Sequence, residues 1–107
     1  MVNPKYDVIV VGAGSAGAVL ATRLSEDPAR SVLLIEAGPD YANFDELPDE
    51  IRQGHATGTD LAVDPSGIHN WAFTGKATPL NTDMPVPRGK VTGGTSAING
   101  QVYLRAI

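Results

Sequence analysis

The residues that could do chemistry begin with three glycines spaced G-x-G-x-x-G, at Gly12, Gly14 and Gly17, directly after an apolar run. In such a turn the first glycine permits a tight reversal, the second leaves room for a pyrophosphate, and the third lets a helix pack close to the strand. Free N–H groups and the helix dipole then favour the two phosphates. The spacing predicts a dinucleotide site, and a turn that only packs a helix against a strand is the alternative.

A carboxylate follows at a distance that strengthens this prediction. Glu36 ends a second apolar run, nineteen residues after Gly17. At the tip of a strand, such an acid accepts hydrogen bonds from the adenosine ribose hydroxyls, and its charge repels a 2′-phosphate. The position therefore disfavours NADP, and the alternative interpretation is a solvated carboxylate at a strand end.

A second glycine-rich stretch occupies residues 87–100. Its Gly93–Gly94 pair is followed by Thr95. Because the glycines have no side chains, their N–H groups and the Thr95 hydroxyl can donate to a ligand that approaches closely, and Arg88 and Lys90 add positive charge nearby. The composition indicates a second contact with an anion or a polar ring. A glycine-rich turn capped by a hydroxyl before a short helix is the alternative.

Two strands and a helix are needed to position the glycine turn at residues 12–17 and the carboxylate of Glu36. Residues 8–11 and 31–36 are apolar runs typical of buried parallel strands. Residues 15–26 have helical periodicity, with Val19 and Leu20 on the face expected to cover the sheet. A right-handed crossover would join the strands. The expected fold class is α/β, with a Rossmann-like βαβ unit that needs further chain to complete its sheet.

Residues 39–86 lack sustained periodicity and are interpreted as an irregular connecting segment. One or two helical turns are expected after Pro48, and residues 68–74 form one candidate strand. Gly54 lies in this stretch, where replacement by alanine is expected to be tolerated. An irregular segment of this length is usually functional or packed against something else.

Four further side chains in that segment were candidates for a site. His55 and His69 are possible general bases, but neither has a nucleophile or carboxylate at a telling spacing, so both are interpreted as exposed loop residues. Trp71 and Phe73 alternate in sequence. They are expected to fill a core or an interface rather than to stack on a cofactor.

Composition bounds the remaining possibilities. The 107 residues suffice for at most one small domain, and the net charge of −4 gives no reason to expect nucleic acid or an anionic membrane as a partner. Without cysteine there is no disulfide framework and no thiolate chemistry, and no metal site is expected. The N-terminus lacks the pattern of a signal peptide or a spanning helix, so a cytoplasmic location is expected.

The two motifs together resemble the N-terminal part of a glucose–methanol–choline (GMC) family flavoprotein oxidoreductase. The resemblance rests on residues 7–17, 36–38 and 88–100, which match the family's motifs in order and separation. It implies FAD as cofactor, with the first motif on its ADP part and the second along the flavin. The residues that would bind the ADP part are Gly12, Ala13, Gly14, Ser15, Ala16, Gly17, Glu36 and Ala37. Those on the flavin side would be Arg88, Val91, Gly94, Thr95, Asn99, Gly100 and Val102.

Two departures from the family pattern have consequences. Thr92 replaces a larger aliphatic residue, which changes packing under the second turn. Ile98 stands where some members carry the histidine that attaches FAD covalently, so non-covalent FAD is expected. The family's substrate domain and catalytic histidines have no counterpart here, and no catalytic residue is assigned to this chain.

The resulting functional prediction is the N-terminal part of an FAD-binding domain over residues 1–107. It divides into a βαβ ADP-binding unit over 1–38, the connecting segment over 39–86 and a flavin-side loop over 87–107. The enzyme would oxidise a small-molecule alcohol by hydride transfer to flavin. Its remainder would be a separate or cleaved polypeptide that supplies the catalytic histidine. A stand-alone module for NAD or an adenylate, and a poorly folded remnant, are the alternatives.

Overall fold

The βαβ unit is formed as the sequence predicts. The computed structural model describes residues 4–54, 57–101 and 105. Strand β1 (Val8–Val11) is followed by helix α1 (Ser15–Leu24) and strand β2 (Val32–Ile35). The two strands pair in parallel, from Val8 opposite Val32 to Val11 opposite Ile35. The α/β class and the parallel pairing are thereby confirmed.

Polar contacts fix the register of this pair at both ends. At the start, the Asp7 carboxylate accepts hydrogen bonds from the Ser31 N–H at 2.8 Å and the Ser31 hydroxyl at 2.7 Å. The backbone N–H of Ser31, and then its hydroxyl, hold the pKa of Asp7 below its ordinary value. At the far end, the Gly12 N–H donates to the Ile35 carbonyl at 2.7 Å. The β1–β2 pair therefore delivers the glycine turn and Glu36 to the same edge.

Helix α1 packs on the strands through its small residues rather than through its larger apolar ones. A Cβ at Gly17 would lie 3.4 Å from Cγ1 of Val10, which is itself buried. Val19 and Leu20 remain more than half exposed, so the expectation that they cover the sheet is wrong. Two strands make a sheet too narrow to reach them. No helix within the described part of the chain is long and apolar enough to cross a membrane.

Residues 39–86 form a series of short elements rather than one irregular segment. A 3-10 turn (Phe44–Glu46) precedes helices α2 (Asp49–Arg52) and α3 (Thr57–Ala62). The helical turn expected after Pro48 is confirmed by α2. Strands β3 (Phe73–Gly75) and β4 (Met84–Val86) then pair antiparallel as a second two-stranded sheet. The candidate strand at 68–74 overlaps β3 only at its end.

The buried core lies beside the sheet, between the short helices and the second glycine-rich stretch. Ala62, Val91 and Ile98 form its centre, and partly buried Tyr41 and Ile51 pack against them. Val91 is only 1% exposed. Its side chain therefore packs in the core, and any contact of Val91 on the flavin side, which stays a prediction, would have to come from its backbone.

Candidate nucleotide-binding site

The three glycines of the first turn are required for three different reasons. Gly12 has φ +93°, a left-handed conformation that favours glycine. A Cβ at Gly17 would lie 1.8 Å from the Gly12 carbonyl oxygen, which no side chain can satisfy. Gly14 has an ordinary backbone conformation (φ −72°, ψ −175°), and a Cβ there would meet no described atom closer than Gly94 Cα at 3.9 Å. Neither backbone strain nor internal packing explains glycine at position 14.

The N-terminus of α1 faces the space beside Gly14. Gly14 is the N-cap, and among the described residues no side chain caps it. Intrahelical hydrogen bonding begins with Ala18 N–H donating to the Gly14 carbonyl at 2.9 Å. Helix geometry leaves the preceding N–H groups, those of Ser15, Ala16 and Gly17, without intrahelical acceptors. An anion at this position would meet three convergent donors and the positive end of a ten-residue helix.

Glu36 braces the turn from the second strand. One carboxylate oxygen accepts the Ala13 N–H at 2.7 Å, and the other accepts the Gly38 N–H at 2.9 Å. Burial alone would raise the pKa of Glu36, but hydrogen bonds from the N–H groups of Ala13, Gly38 and Ala37 outweigh it, so the pKa lies below its ordinary value. This bracing role could not be predicted from the sequence, because it depends on the register of two strands.

The second glycine-rich stretch is docked directly on the first turn. The Gly93 N–H donates to the Ala13 carbonyl at 2.8 Å, and Gly93 forms a parallel bridge with Gly14. Gly94 has φ +61°, and a Cβ on it would lie 2.9 Å from Gly14 Cα. The Ser15 hydroxyl donates to Ser96 Oγ at 3.4 Å. The two motifs therefore form one continuous surface.

A buried asparagine holds the approach to this second stretch. Asn70 Oδ1 accepts the N–H groups of Arg88 and Ala72, each at 3.1 Å. Its Nδ2 donates to the Val63 carbonyl at 2.8 Å. Thr95 adds a further contact, since its hydroxyl oxygen accepts the Gly89 N–H at 3.1 Å. These bonds place Arg88 beside the cleft.

A cleft of about 700 Å³ runs between the two motifs. Most of the predicted site residues line it: Gly12, Gly14, Ser15, Ala16, Gly17, Glu36, Ala37, Arg88, Gly94 and Thr95. Ala13 is buried behind the turn, and Val91 lies in the core. Asn99 and Gly100 are exposed but do not contribute to the cleft wall. Val102 lies outside the described residues. The cleft therefore brings together most of the residues predicted for the ADP part and three of those predicted for the flavin side, Arg88, Gly94 and Thr95.

Part of the cleft wall consists of residues that were not predicted as site residues. Trp71 and Phe73 line it and are 43% and 52% exposed. We expected these two side chains to fill a core or an interface, but in the structure they line the cleft and remain partly exposed. Their alternation in sequence does not encode this placement, because Ala72 between them has φ +53° and the chain is therefore not extended there. Ser96, one residue beyond the predicted set, also lines the cleft.

His69 is buried rather than exposed, which corrects the expectation for it. It is 3% exposed, with Nε2 2.7 Å from the Tyr41 hydroxyl and Nδ1 3.3 Å from a Glu50 carboxylate oxygen. Burial, and then the charge of Glu50, raise the pKa of Tyr41. His69 does not line the cleft. His55 lies outside the described residues. Among the described residues, no cluster of His, Cys, Asp or Glu could hold a metal ion.

The turn, the strand-end carboxylate and the cleft together define a βαβ nucleotide-binding unit. The family model for "Lycopene cyclase protein" matches residues 7–48, which contain β1, α1 and β2. A GMC-type oxidoreductase of uncharacterised function from Rhodococcus erythropolis is 38% identical over 94% of this chain and 19% of its own length. An oxygen-dependent choline dehydrogenase from Escherichia coli is 46% identical over 94% of this chain and 17% of its own length.

A solved structure extends the likeness to the fold. A fungal aryl-alcohol oxidase superposes with a TM-score of 0.63 and 35% identity, covering 98% of this chain and 16% of its own. The chain belongs to the GMC oxidoreductase family and corresponds to its N-terminal portion. It spans less than a fifth of the length of these relatives.

Proposed function

We propose that this chain is the FAD-holding portion of a flavoprotein oxidoreductase that oxidises an alcohol by hydride transfer to flavin. The proposal draws on the GMC family membership and on relatives that are a choline dehydrogenase and an aryl-alcohol oxidase. The activity belongs to the whole protein, of which the chain is the part that receives the cofactor.

The observation that carries the proposal is Gly14. Its conformation suits any residue, and no described atom of the chain crowds its Cβ position. Glycine here is explained by a ligand backbone that must approach closely, as a pyrophosphate does. Because Gly14 also bridges to Gly93, the ligand extends from the helix N-terminus along a second motif. An elongated FAD needs that second surface, whereas a nicotinamide dinucleotide does not.

Each part of the chain takes one share of the cofactor. Residues 1–38 hold the ADP part, with phosphates at the N-terminus of α1 and the ribose near Glu36. Residues 87–107 are assigned to the flavin side, where Thr95 lines the cleft, and Asn99 and Gly100 follow it along the chain outside the described cleft wall. Residues 39–86 connect the two. When bound, FAD supplies the hydride-accepting chemistry, and the chain's residues bind and orient it.

The cofactor is held without a covalent bond. Ile98 is 2% exposed and part of the core, so that position offers neither a nucleophile nor access. The cleft wall, as far as it is described, contains no His, Cys or Tyr side chain. His69 is tied to Tyr41 and Glu50 away from the cleft. No described residue is therefore placed to attach a flavin.

No catalytic residue is assigned to this chain. The base that takes the hydroxyl proton of the alcohol comes from sequence outside it, in the remainder of the same enzyme. The alternative is a stand-alone module that binds NAD or an adenylate without catalysis. It would use the first motif alone and leave the second without a ligand.

Paired glycine substitutions test the proposal. Gly14→Val should retain most of the folding stability and lose flavin, because its side chain enters the space reserved for the pyrophosphate. Gly17→Ala should lose both, since its Cβ would lie 1.8 Å from the Gly12 carbonyl oxygen. Two quantities are measured for each variant: the moles of flavin per mole of purified polypeptide, which report cofactor binding, and the midpoint of urea unfolding, which reports folding stability. Stoichiometric flavin in Gly14→Val would contradict the proposal.

A further inference from the structure

His69 is a buried imidazole that the proposed function does not use. Only 3% of its surface is exposed. Both ring nitrogens nevertheless have side-chain partners, since Nε2 lies 2.7 Å from the Tyr41 hydroxyl and Nδ1 lies 3.3 Å from a Glu50 carboxylate oxygen. Burying a polar ring is unfavourable unless its polar atoms are paired. These two partners therefore hold the ring in one orientation.

The same partners determine which ring nitrogen of His69 carries the proton. A carboxylate accepts hydrogen bonds and does not donate them, so Nδ1 must carry the hydrogen that points to Glu50. In the neutral ring Nε2 is then the acceptor, and the Tyr41 hydroxyl donates to it. Neutral His69 is therefore the Nδ1–H tautomer.

The backbone of His69 connects this network to the second glycine-rich stretch. The His69 carbonyl accepts the Lys90 N–H at 2.8 Å, and the next residue, Asn70, forms an antiparallel bridge with Gly89. Gly89 and its neighbour Arg88 line the cleft. The position of His69 is thereby passed to the cleft wall through paired backbone.

Two distant parts of the chain hold the His69 ring in place. Tyr41 follows β2 and packs against the buried core that contains Val91, and Glu50 belongs to α2. The centroids of the Tyr41 and His69 rings are 5.8 Å apart. Because the ring is fixed when the chain folds, the backbone paired with it needs no further ordering when a ligand binds, which favours affinity.

We infer that His69 is a positioning residue for the cofactor, whose two ring hydrogen bonds hold the second glycine-rich stretch at the cleft wall. The inference rests on the proposed function, because that function assigns this stretch to the flavin side. Loss of the ring nitrogens should weaken the binding of FAD more than that of ADP, since ADP reaches only the first turn. A residue needed only for folding would change both affinities alike or neither.

The ratio of these two affinities is the measurement. His69→Phe keeps a ring of similar size and removes both nitrogens. Calorimetry on protein freed of its nucleotide should show FAD binding weakened by roughly 2- to 10-fold, the effect of one hydrogen bond, with ADP binding nearly unchanged. Tyr41→Phe removes only the hydroxyl, so it carries the comparison if His69→Phe fails to fold. An unchanged ratio in the folded variant would overturn the inference.

Arg52→Met is the matched control for a general loss of stability. Arg52 lies on the same helix as Glu50 and donates to the carbonyls of Asp45 and Leu47 at 2.9 and 3.1 Å. Its replacement should lower the midpoint of urea unfolding and leave the ratio of the FAD and ADP affinities unchanged. A change in that ratio as large as the change in His69→Phe would overturn the inference, because loosening of the fold would then explain both.

Nitrogen-15 NMR tests the hydrogen bonds of the ring without any cofactor. The chain has two histidines, so His55→Gln leaves His69 as the only imidazole. In neutral His69, the Nδ1 signal should be that of a protonated nitrogen and the Nε2 signal that of an unprotonated one. A proton on Nε2 alone would overturn the inference, because the bond to Glu50 would then be absent.

The outcomes also separate this inference from the proposed function. A protein that binds FAD, with the same ratio of affinities in His69→Phe, would retain the proposed function and lose the positioning role. A natural protein that binds ADP but no FAD would lose the proposed function and, with it, the positioning role that rests on it.

Discussion

At the scale of single residues, the Glu36 carboxylate both braces the glycine turn and is the group proposed to bind the ribose. Both of its oxygens accept backbone N–H groups, from Ala13 and from Gly38. The side chain therefore fixes the glycine turn before any ligand arrives. A carboxylate already oriented in this way loses little freedom when a ribose binds, which favours affinity.

Replacing Glu36 tests the bracing role. Glu36→Gln should lower the free energy of unfolding by roughly 1–3 kcal/mol, because an amide cannot accept both N–H groups and the carboxylate's charge is lost. The control is Glu26→Gln, which removes only an exposed ion pair with Arg23 and should cost less than about 1 kcal/mol. Urea unfolding of both variants checks this. Equal midpoints would remove Glu36 from the turn.

The lowered pKa of Glu36 also predicts a pH dependence with a definite sign. A carboxyl whose pKa is lower in the folded state contributes stability that is fully present above its unfolded value and is lost as pH falls through the folded one. With an ordinary value of 4.5, the loss should begin near that pH and continue below it. The stability difference between the natural protein and Glu36→Gln should shrink over the same interval. A difference that stays constant down to the acid transition would contradict this.

Residue-scale prediction from sequence succeeded where the cause is local. Gly12 and Gly17 were assigned correctly because a turn from strand to helix dictates their geometry within six residues. The burial of His69 and Val91 was not predicted, because it depends on helices that reach them from distant sequence. Gly54 shows the same limit. Its φ of +56° and its burial make alanine unfavourable, although the surrounding sequence predicted tolerance.

At the scale of elements, the central feature is that residues 69–98 carry the second glycine-rich stretch to the first turn. Asn70 ties this segment together by accepting from Arg88 and Ala72 and donating to Val63. The parallel strands could be predicted from their apolar runs. The β3–β4 hairpin and the docking of the two motifs could not, because no local period encodes a contact across about eighty residues.

Asn70 provides the element-scale prediction. Asn70→Ala should lower the free energy of unfolding by roughly 1–3 kcal/mol, because the N–H groups of Arg88 and Ala72 lose the acceptor that buried Asn70 provides. It should also weaken cofactor binding, since Arg88 is released. Asn43→Ala is the matched control. Its amide donates only to exposed Glu46, so its effect should stay within about 0.5 kcal/mol. Thermal unfolding of the two variants makes the comparison, and similar losses would contradict a clamping role.

At the scale of the molecule, the apolar surface of the βαβ unit is left open. Val11 is 81% exposed, and Ile9, Val19 and Leu20 are each more than half exposed. Parallel sheets are normally covered on both faces. The relatives are at least five times longer than the matched region. We therefore expect these side chains to be covered by the remainder of the same enzyme.

Native mass tests this expectation. Size-exclusion chromatography with light scattering should find the chain associated with further polypeptide or, by itself, self-associated through Val11 and Leu20. Val11→Ser with Leu20→Gln should reduce the self-association of the isolated chain, whereas Thr22→Gln, on the same helix and already exposed, should not. A cooperatively unfolding monomer that binds FAD and oxidises alcohols would contradict the expectation.

The central claim is that the two glycine motifs hold one FAD, and the identity of the bound nucleotide tests it most directly. The purified protein should absorb in the visible as a flavoprotein does, and denaturation should release the chromophore into solution. Chromatography of the released material should identify it as FAD, with none left on the polypeptide. Release of a nicotinamide nucleotide without any flavin would contradict the claim.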